Sequence, residues 1–183
     1  MELPEPVFRT RRLDVRPWTR SDVAVMFDIY RRAEVARWLG ATPKVAESVA
    51  AMSVTVDRWA AAHHGVLGVW AVVLRGPATP VGTVMLGPLP DSSGAPTADV
   101  EVGWHLHPDH WGNGYATEAA QGVLERAWGG GVQRVHAVVR PGNAASVAVA
   151  HRLGMTLAGR TARWYGIELD DFRLDQPAAT LGR

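Results

Sequence analysis

Asp99-Val-Glu-Val-Gly-Trp-His-Leu-His-Pro108, followed closely by Trp111-Gly-Asn-Gly-Tyr-Ala-Thr-Glu-Ala119, is the stretch on which the fold turns. Asp99 to Leu106 alternates as a strand, with Val100 and Val102 on one face and Glu101 on the other. From Ala116 the apolar residues recur at helical spacing, through Ala119, Ala120, Val123, Leu124, Ala127 and Trp128. Gly112 and Gly114 lie between the two patterns. Glycines there allow positive φ and close approach of a ligand to the backbone. The amides at the helix start then converge on an anion, aided by the helix dipole. Thr117 adds a hydroxyl and Glu118 a carboxylate in the first turn, where negative charge suits the dipole. A turn with no ligand satisfies the glycines equally well, because short motifs match by chance. A dinucleotide fingerprint fits less well. Thr117 stands at its third glycine, and no acidic ribose partner follows near Gln133 and Arg134. A P-loop is excluded by the missing Gly-Lys-Ser/Thr.

Downstream, Gly129-Gly130-Gly131 ends the helix, Val135 to Val139 reads as a strand, and Asn143 or Ala144 to Leu153 as a helix. Met155 to Leu174 holds two last strands. Upstream, Val69 to Leu74 and Val81 to Leu86 form an antiparallel pair joined by Arg75 to Pro80, and Pro88 to Thr97 reads as an exposed loop. Val45, Val49, Met52, Val56 and Trp59 stripe a helix for which Thr42-Pro43 offers a cap, with a short continuation of the preceding helix over Ala33 to Leu39. Thr19 to Asp22 resembles a capping box ahead of Val23, Met26, Phe27 and Tyr30. His63-His64 fall at a helix end and suit its dipole. Phe8 to Arg16 reads as a first strand. The order β-α-α-β-β-β-α-β-α-β-β describes one mixed α/β domain over residues 1–183.

Glu101 to Pro108, Trp111 to Ala119, Asn143-Ala-Ala-Ser146 and Leu153-Gly-Met155 together resemble the GCN5-related N-acetyltransferase (GNAT) superfamily. Within it, the chain is most similar to the branch of the RimJ and RimL ribosomal-protein acetyltransferases. That branch often has Trp where other members have Gln or Arg, as Trp111 stands here. The resemblance implies a splayed, mixed, mostly antiparallel sheet flanked by helices. It implies acetyl-CoA as co-substrate, with pantetheine against His105 and Leu106. The pyrophosphate would sit on Trp111, Gly112, Asn113, Gly114, Tyr115, Ala116 and Thr117. Asn143 would cap its helix and touch pantetheine. Many members carry a tyrosine four residues after Ser146; here that position is Ala150.

Amide formation from a thioester needs a neutral amine, and an alkylammonium of pKa ~10 must first lose a proton. Glu101 is the candidate base, though a structural carboxylate paired with arginine would look the same. Backbone N–H groups near His105 and Leu106 are candidates for the oxyanion. Ser146 is the candidate proton donor to the thiolate, against the plain reading of a first-turn hydroxyl. Trp164-Tyr165 falls in the last hairpin, where relatives shape the acceptor site; core packing is the competing reading. His105, His107 and His110 lack a carboxylate that completes a familiar ligand set, so no metal is expected.

The chain has 183 residues, a net charge of +1 and no cysteine. That removes disulfides, thiol nucleophiles and thiolate metal sites. Basic residues are dispersed, which argues against nucleic acid as a partner. The longest apolar run, Val66 to Leu74, is too short for a membrane span, and MELPEPVFRTRR lacks the apolar core of a secretory signal. A cytoplasmic location is expected. The acceptor is a peptide N-terminus or a small-molecule amine, and the oligomeric state stays open, a homodimer included. The rival function is a non-catalytic module of the same fold that binds acyl-CoA.

Overall fold

Thirteen strands and helices follow one another in a computed structural model that describes residues 4–178. The first strand expected over Phe8 to Arg16 is two: β1 (Phe8–Arg9) and β2 (Leu13–Pro17), paired antiparallel. Glu118 breaks the run. Its carboxylate accepts from the Arg12 N–H at 2.9 Å and from Thr10 Oγ1 at 2.6 Å, so residues 10–12 turn out of the ladder. Next come α1 (Val23–Tyr30) and the short α2 (Ala33–Ala36). The capping box ahead of α1 is present, with the Thr19 N–H donating to Asp22 at 2.9 Å. Asp22 is also gripped two-pronged by Arg16 at 2.7 and 2.9 Å. Both residues are buried, so each charge depends on the other.

α3 (Val49–Ala61) begins later than its apolar stripe implies. Ser48, not Thr42, is its cap, accepting from the Ala51 N–H at 3.1 Å. Val45 lies outside the helix and is 43% exposed, so it could not anchor a first turn. Beyond α3, His63 Nε2 pairs with the Val69 carbonyl at 3.0 Å and its ring lies 5.7 Å from Trp70. β3 (Gly68–Leu74) and β4 (Pro80–Pro90) form the expected hairpin. The exposed loop expected over Pro88 to Thr97 is instead the end of β4, a tight turn and the start of β5 (Pro96–Leu106). Asp91 Oδ1 closes the turn by accepting from the Ser93 and Ala95 N–H groups at 2.8 and 3.1 Å. The prolines fit because β3 pairs with β4 only as far as Leu86, so beyond it Pro88 and Pro90 meet β5 alone.

α4 (Tyr115–Gly129), β6 (Arg134–Val139), α5 (Ala144–Arg152), β7 (Thr156–Thr161) and β8 (Leu169–Asp175) complete the chain. The eight-stranded sheet has the order β1-β2-β3-β4-β5-β6-β8-β7. Every pair is antiparallel except β5 with β6. On one face, α4 and α5 bury Ala119, Ala120, Val123 and Ala150 against Val72, Val84, Val102 and Phe172. On the other, α1 and α3 pack Met26, Ile29, Tyr30 and Val56 over Ala71 and Val73. Helices on both faces of an open sheet are the stable arrangement when both faces are apolar. Among the described residues, no helix is long and apolar enough to cross a membrane.

Candidate active site

β5 and β6 meet at a single register point, Glu101 opposite His136. Beyond it they diverge, and two cavities occupy the gap. The smaller, about 200 Å3, is walled by Trp38, Leu39, Met85, Tyr165 and Ile167, with Glu101 within it. The larger, about 750 Å3, is a groove rimmed by Trp111 to Thr117 on one side and Gly142 to Ser146 on the other. Trp38, Leu39, Trp104, His105, Asn143 and Ser146 line both, so the two spaces adjoin.

Glu101 is 8% exposed. Burial pushes its carboxyl up to about 7, against the lowering effect of the hydrogen bond from Tyr165 Oη, 2.7 Å from Oε2. Burial and that neighbouring carboxylate raise the phenol of Tyr165 above its ordinary value, so it stays protonated and donates. Tyr165 has φ +58°, unusual for a side chain of its size. Its loop is held down by an isolated bridge between Trp164 and Asp91. Trp164 itself is 1% exposed. Its indole donates to Asp99 at 3.3 Å and meets the His136 ring at 4.9 Å. Of the two hairpin residues, Tyr165 reaches the cavity, while Trp164 lies outside its lining and supports the loop from beneath.

The glycine loop is tied by its own side chains. Trp111 Nε1 donates to the Leu106 carbonyl at 2.9 Å, and Asn113 Nδ2 to the Trp111 carbonyl at 3.0 Å. Gly112 and Gly114 have φ of +76° and +78°. A Cβ on Gly112 would meet nothing within 4 Å, so the space in front of the loop is open. The first backbone bond of α4 is Glu118 N–H to Gly114 C=O, which leaves the amides of Tyr115, Ala116 and Thr117 without intrahelical partners. Thr117 Oγ1 is buried with no hydrogen-bond partner. Open space, orphan amides and an orphan hydroxyl fit an anion such as a pyrophosphate. On the opposite rim, Asn143 Oδ1 accepts from the Ser146 N–H at 3.2 Å and caps α5, which turns Ser146 toward both cavities.

Residues 12–156 match the family model described as an acetyltransferase (GNAT) domain. The chain belongs to the GNAT family. An uncharacterized N-acetyltransferase, YoaA of Bacillus subtilis, is 27% identical over 156 residues, 84% of this chain and 85% of that protein. Among solved structures, an acetyltransferase of Agrobacterium tumefaciens aligns with a TM-score of 0.73 at 26% identity, covering 96% of this chain and 98% of that one. The RimL L7/L12 acetyltransferase in complex with coenzyme A aligns at 0.76 with 18% identity, over 93% and 98% of the two chains, a likeness of fold.

Three parts of this GNAT site were not legible in the sequence. Tyr165, expected at the acceptor site, lines the smaller cavity and also donates to the carboxylate of Glu101, a contact the sequence did not indicate. Arg140 Nη2 donates to the carbonyls of Gly40 and Ala41 at 2.6 and 2.8 Å, fastening the segment after α2 across the cavity. Tyr30, an apparent core residue of α1, bonds His105. Each joins residues far apart in the chain, and no local pattern marks such a contact. His105, His107 and His110 do not converge: among the described residues no three His, Asp or Glu side chains stand where they could share a metal ion.

Proposed function

We propose that this GNAT protein transfers an acetyl group from acetyl-CoA to a primary amine by direct attack of the amine on the thioester. One observation carries the reading: a buried carboxyl with a pKa near 7 stands where β5 and β6 part, beside a groove rimmed by an anion cradle. In this reading the amides from Gly112 to Thr117 and the Thr117 hydroxyl hold the pyrophosphate, while the Trp111 amide donates to the Pro108 carbonyl and fixes the start of the loop. The open edge of β5 at His105 and Leu106, with Asn143, meets pantetheine. Glu101 takes the proton from the amine, which enters through the smaller cavity past Tyr165. Near neutral pH a base of pKa about 7 is both substantially ionised and strong enough to matter. Ser146, on the lining shared by the two cavities, or water delivers a proton to the departing thiolate, a serine that does so being reprotonated by water.

The motif content favours the RimJ/RimL-like branch and hence a peptide N-terminus as acceptor, with small-molecule amines the other class. The fold alone does not choose: AAC(6')-Ib in complex with ribostamycin and coenzyme A also aligns, at a TM-score of 0.71 and 14% identity. A cytoplasmic location and independence of nucleic acid and membrane belong to the same reading. The decisive test is a panel of short peptides, amino acids, polyamines and aminoglycosides incubated with acetyl-CoA, with release of free thiol as the readout. Turnover of at least one amine class is expected. Tight binding of acetyl-CoA with no turnover of any amine would overturn the reading in favour of a sensing module.

A further inference from the structure

His105 stands at the junction of the two cavities, and its side chain has no task in the reaction as described so far. Its Nδ1 lies 3.1 Å from Tyr30 Oη, which in turn lies 2.6 Å from Thr83 Oγ1. The two rings meet edge-on, with centroids 5.9 Å apart. Tyr30 and Thr83 are buried at 8% and 1% exposure, so each hydroxyl hydrogen needs a partner there.

One direction of donation satisfies all three groups. Thr83 donates to the phenol oxygen, and the phenol donates to Nδ1. In the reverse direction Nδ1–H would donate to the phenol and the phenol to Thr83, leaving the threonine hydrogen without a side-chain acceptor. The relay therefore makes Nδ1 an acceptor and puts the ring hydrogen on Nε2. Among the described residues Nε2 has no hydrogen-bond partner, yet it is not a sealed atom. His105 lines both cavities, and Nε2 is the polar atom of its side chain left unpaired. Burial lowers the imidazole to about 4, so the ring is neutral at physiological pH.

We infer that Nε2–H of His105 is a hydrogen-bond donor to the acyl carbonyl oxygen at the reaction centre. The inference rests on the reading above, in which pantetheine occupies the groove and the amine the smaller cavity, so that the thioester lies between them. The amine lone pair forms the C–N bond while the C=O π pair moves onto the oxygen facing Nε2–H. When that pair returns, the C–S bond breaks and its electrons leave with sulfur. The amine proton passes to Glu101, and the thiolate is protonated by Ser146 or water. His105 transfers no proton. A fixed neutral donor in a water-poor site lowers the barrier because it needs no reorganisation as charge develops, an effect of about 10²–10³-fold in kcat.

The test is infrared spectroscopy of acetyl-CoA carrying 13C at the thioester carbonyl, bound to the protein without amine. The carbonyl band of the wild-type complex is expected to lie at lower wavenumber than that of the free ligand. His105→Leu should return the band to the free position and lower kcat by about 10²–10³-fold, with acetyl-CoA affinity changed only a few-fold. His105→Gln, which keeps a side-chain N–H, should restore part of both. A wild-type band in His105→Leu, or wild-type kcat, would overturn the inference. Tyr30 and Thr83 still bond each other in that variant, but one hydroxyl hydrogen loses its acceptor, so some loss of stability is expected and is measured separately from kcat and the band position. Should His105→Leu fail to fold, Tyr30→Phe gives the second measurement: freeing Nδ1 unfixes the tautomer and should move the band part-way back, and an unmoved band overturns the donor role. A shifted band in a wild-type protein that turns over no amine would count against acetyl transfer while leaving the donor in place.

Discussion

Glu101 loses most of its water on folding, and that loss has two measurable consequences. Its carboxyl rises from 4.5 to about 7, so turnover should climb with pH through about 7. Glu101→Gln should bind acetyl-CoA normally but lower kcat by about 10²–10⁴-fold, with part recovered at high pH where more amine is already neutral. The second consequence concerns stability. Between 4.5 and about 7 the folded chain holds the Glu101 proton more tightly than the unfolded chain does. This contribution is therefore present at low pH and is lost as pH rises through that window. Urea titrations of wild type and Glu101→Gln should diverge across it by roughly 1–3 kcal/mol, and parallel curves would show that the carboxyl is not perturbed. Tyr165→Phe removes the donor that favours the ionised form, so the rise in kcat/KM should move to higher pH. An unchanged pH profile would mean that the phenol does not touch the active carboxylate in solution.

At the level of elements, the turn before α4 combines local backbone demand with space for a ligand. Gly114, at φ +78°, tolerates no β-branched side chain without strain, and a Cβ there would come within 3.5 Å of the Arg12 guanidinium, so a larger side chain disturbs the turn that aims the amides. Gly114→Val should weaken binding of acetyl-CoA by at least tenfold, measured by calorimetry, beyond any effect on folding. Thr117→Val provides a cleaner comparison. Its hydroxyl is buried without a partner, so replacing it should leave the stability of the free protein unchanged or slightly higher. Affinity for acetyl-CoA should nevertheless fall. A variant that loses stability and keeps its affinity would remove Thr117 from the cradle.

For the whole molecule, the gap between β5 and β6 is the feature that a ligand would stabilise, because the strands there share only one register point. Binding to the folded state alone adds about 2.7 kcal/mol at a ligand concentration of 100 Kd, which for a chain this long corresponds to a Tm rise of about 5–10 °C. Acetyl-CoA should give that shift in differential scanning fluorimetry and NADH should not. Equal shifts from both would contradict the assignment of the groove to CoA.

Local chemistry was legible in the sequence. The period-2 run through Glu101, the glycine pair, the stripe of α4 and the Asn143 cap are patterns among neighbours within a few residues, so they can be read from the chain without knowing its tertiary contacts. The expectations that needed correction failed where a distant partner decided the outcome. Glu118 pulls residues 10–12 out of a strand, and β5 turns a proline-rich segment into the end of β4. The same holds for the site. The sequence identified Glu101 as a candidate base, but its raised pKa depends on desolvation and on Tyr165, which lies 64 positions away. The tautomer of His105 likewise depends on Tyr30, 75 positions away. Periodicity and capping carry no record of such pairings, because burial and hydrogen-bond direction exist only once the sheet has closed around them.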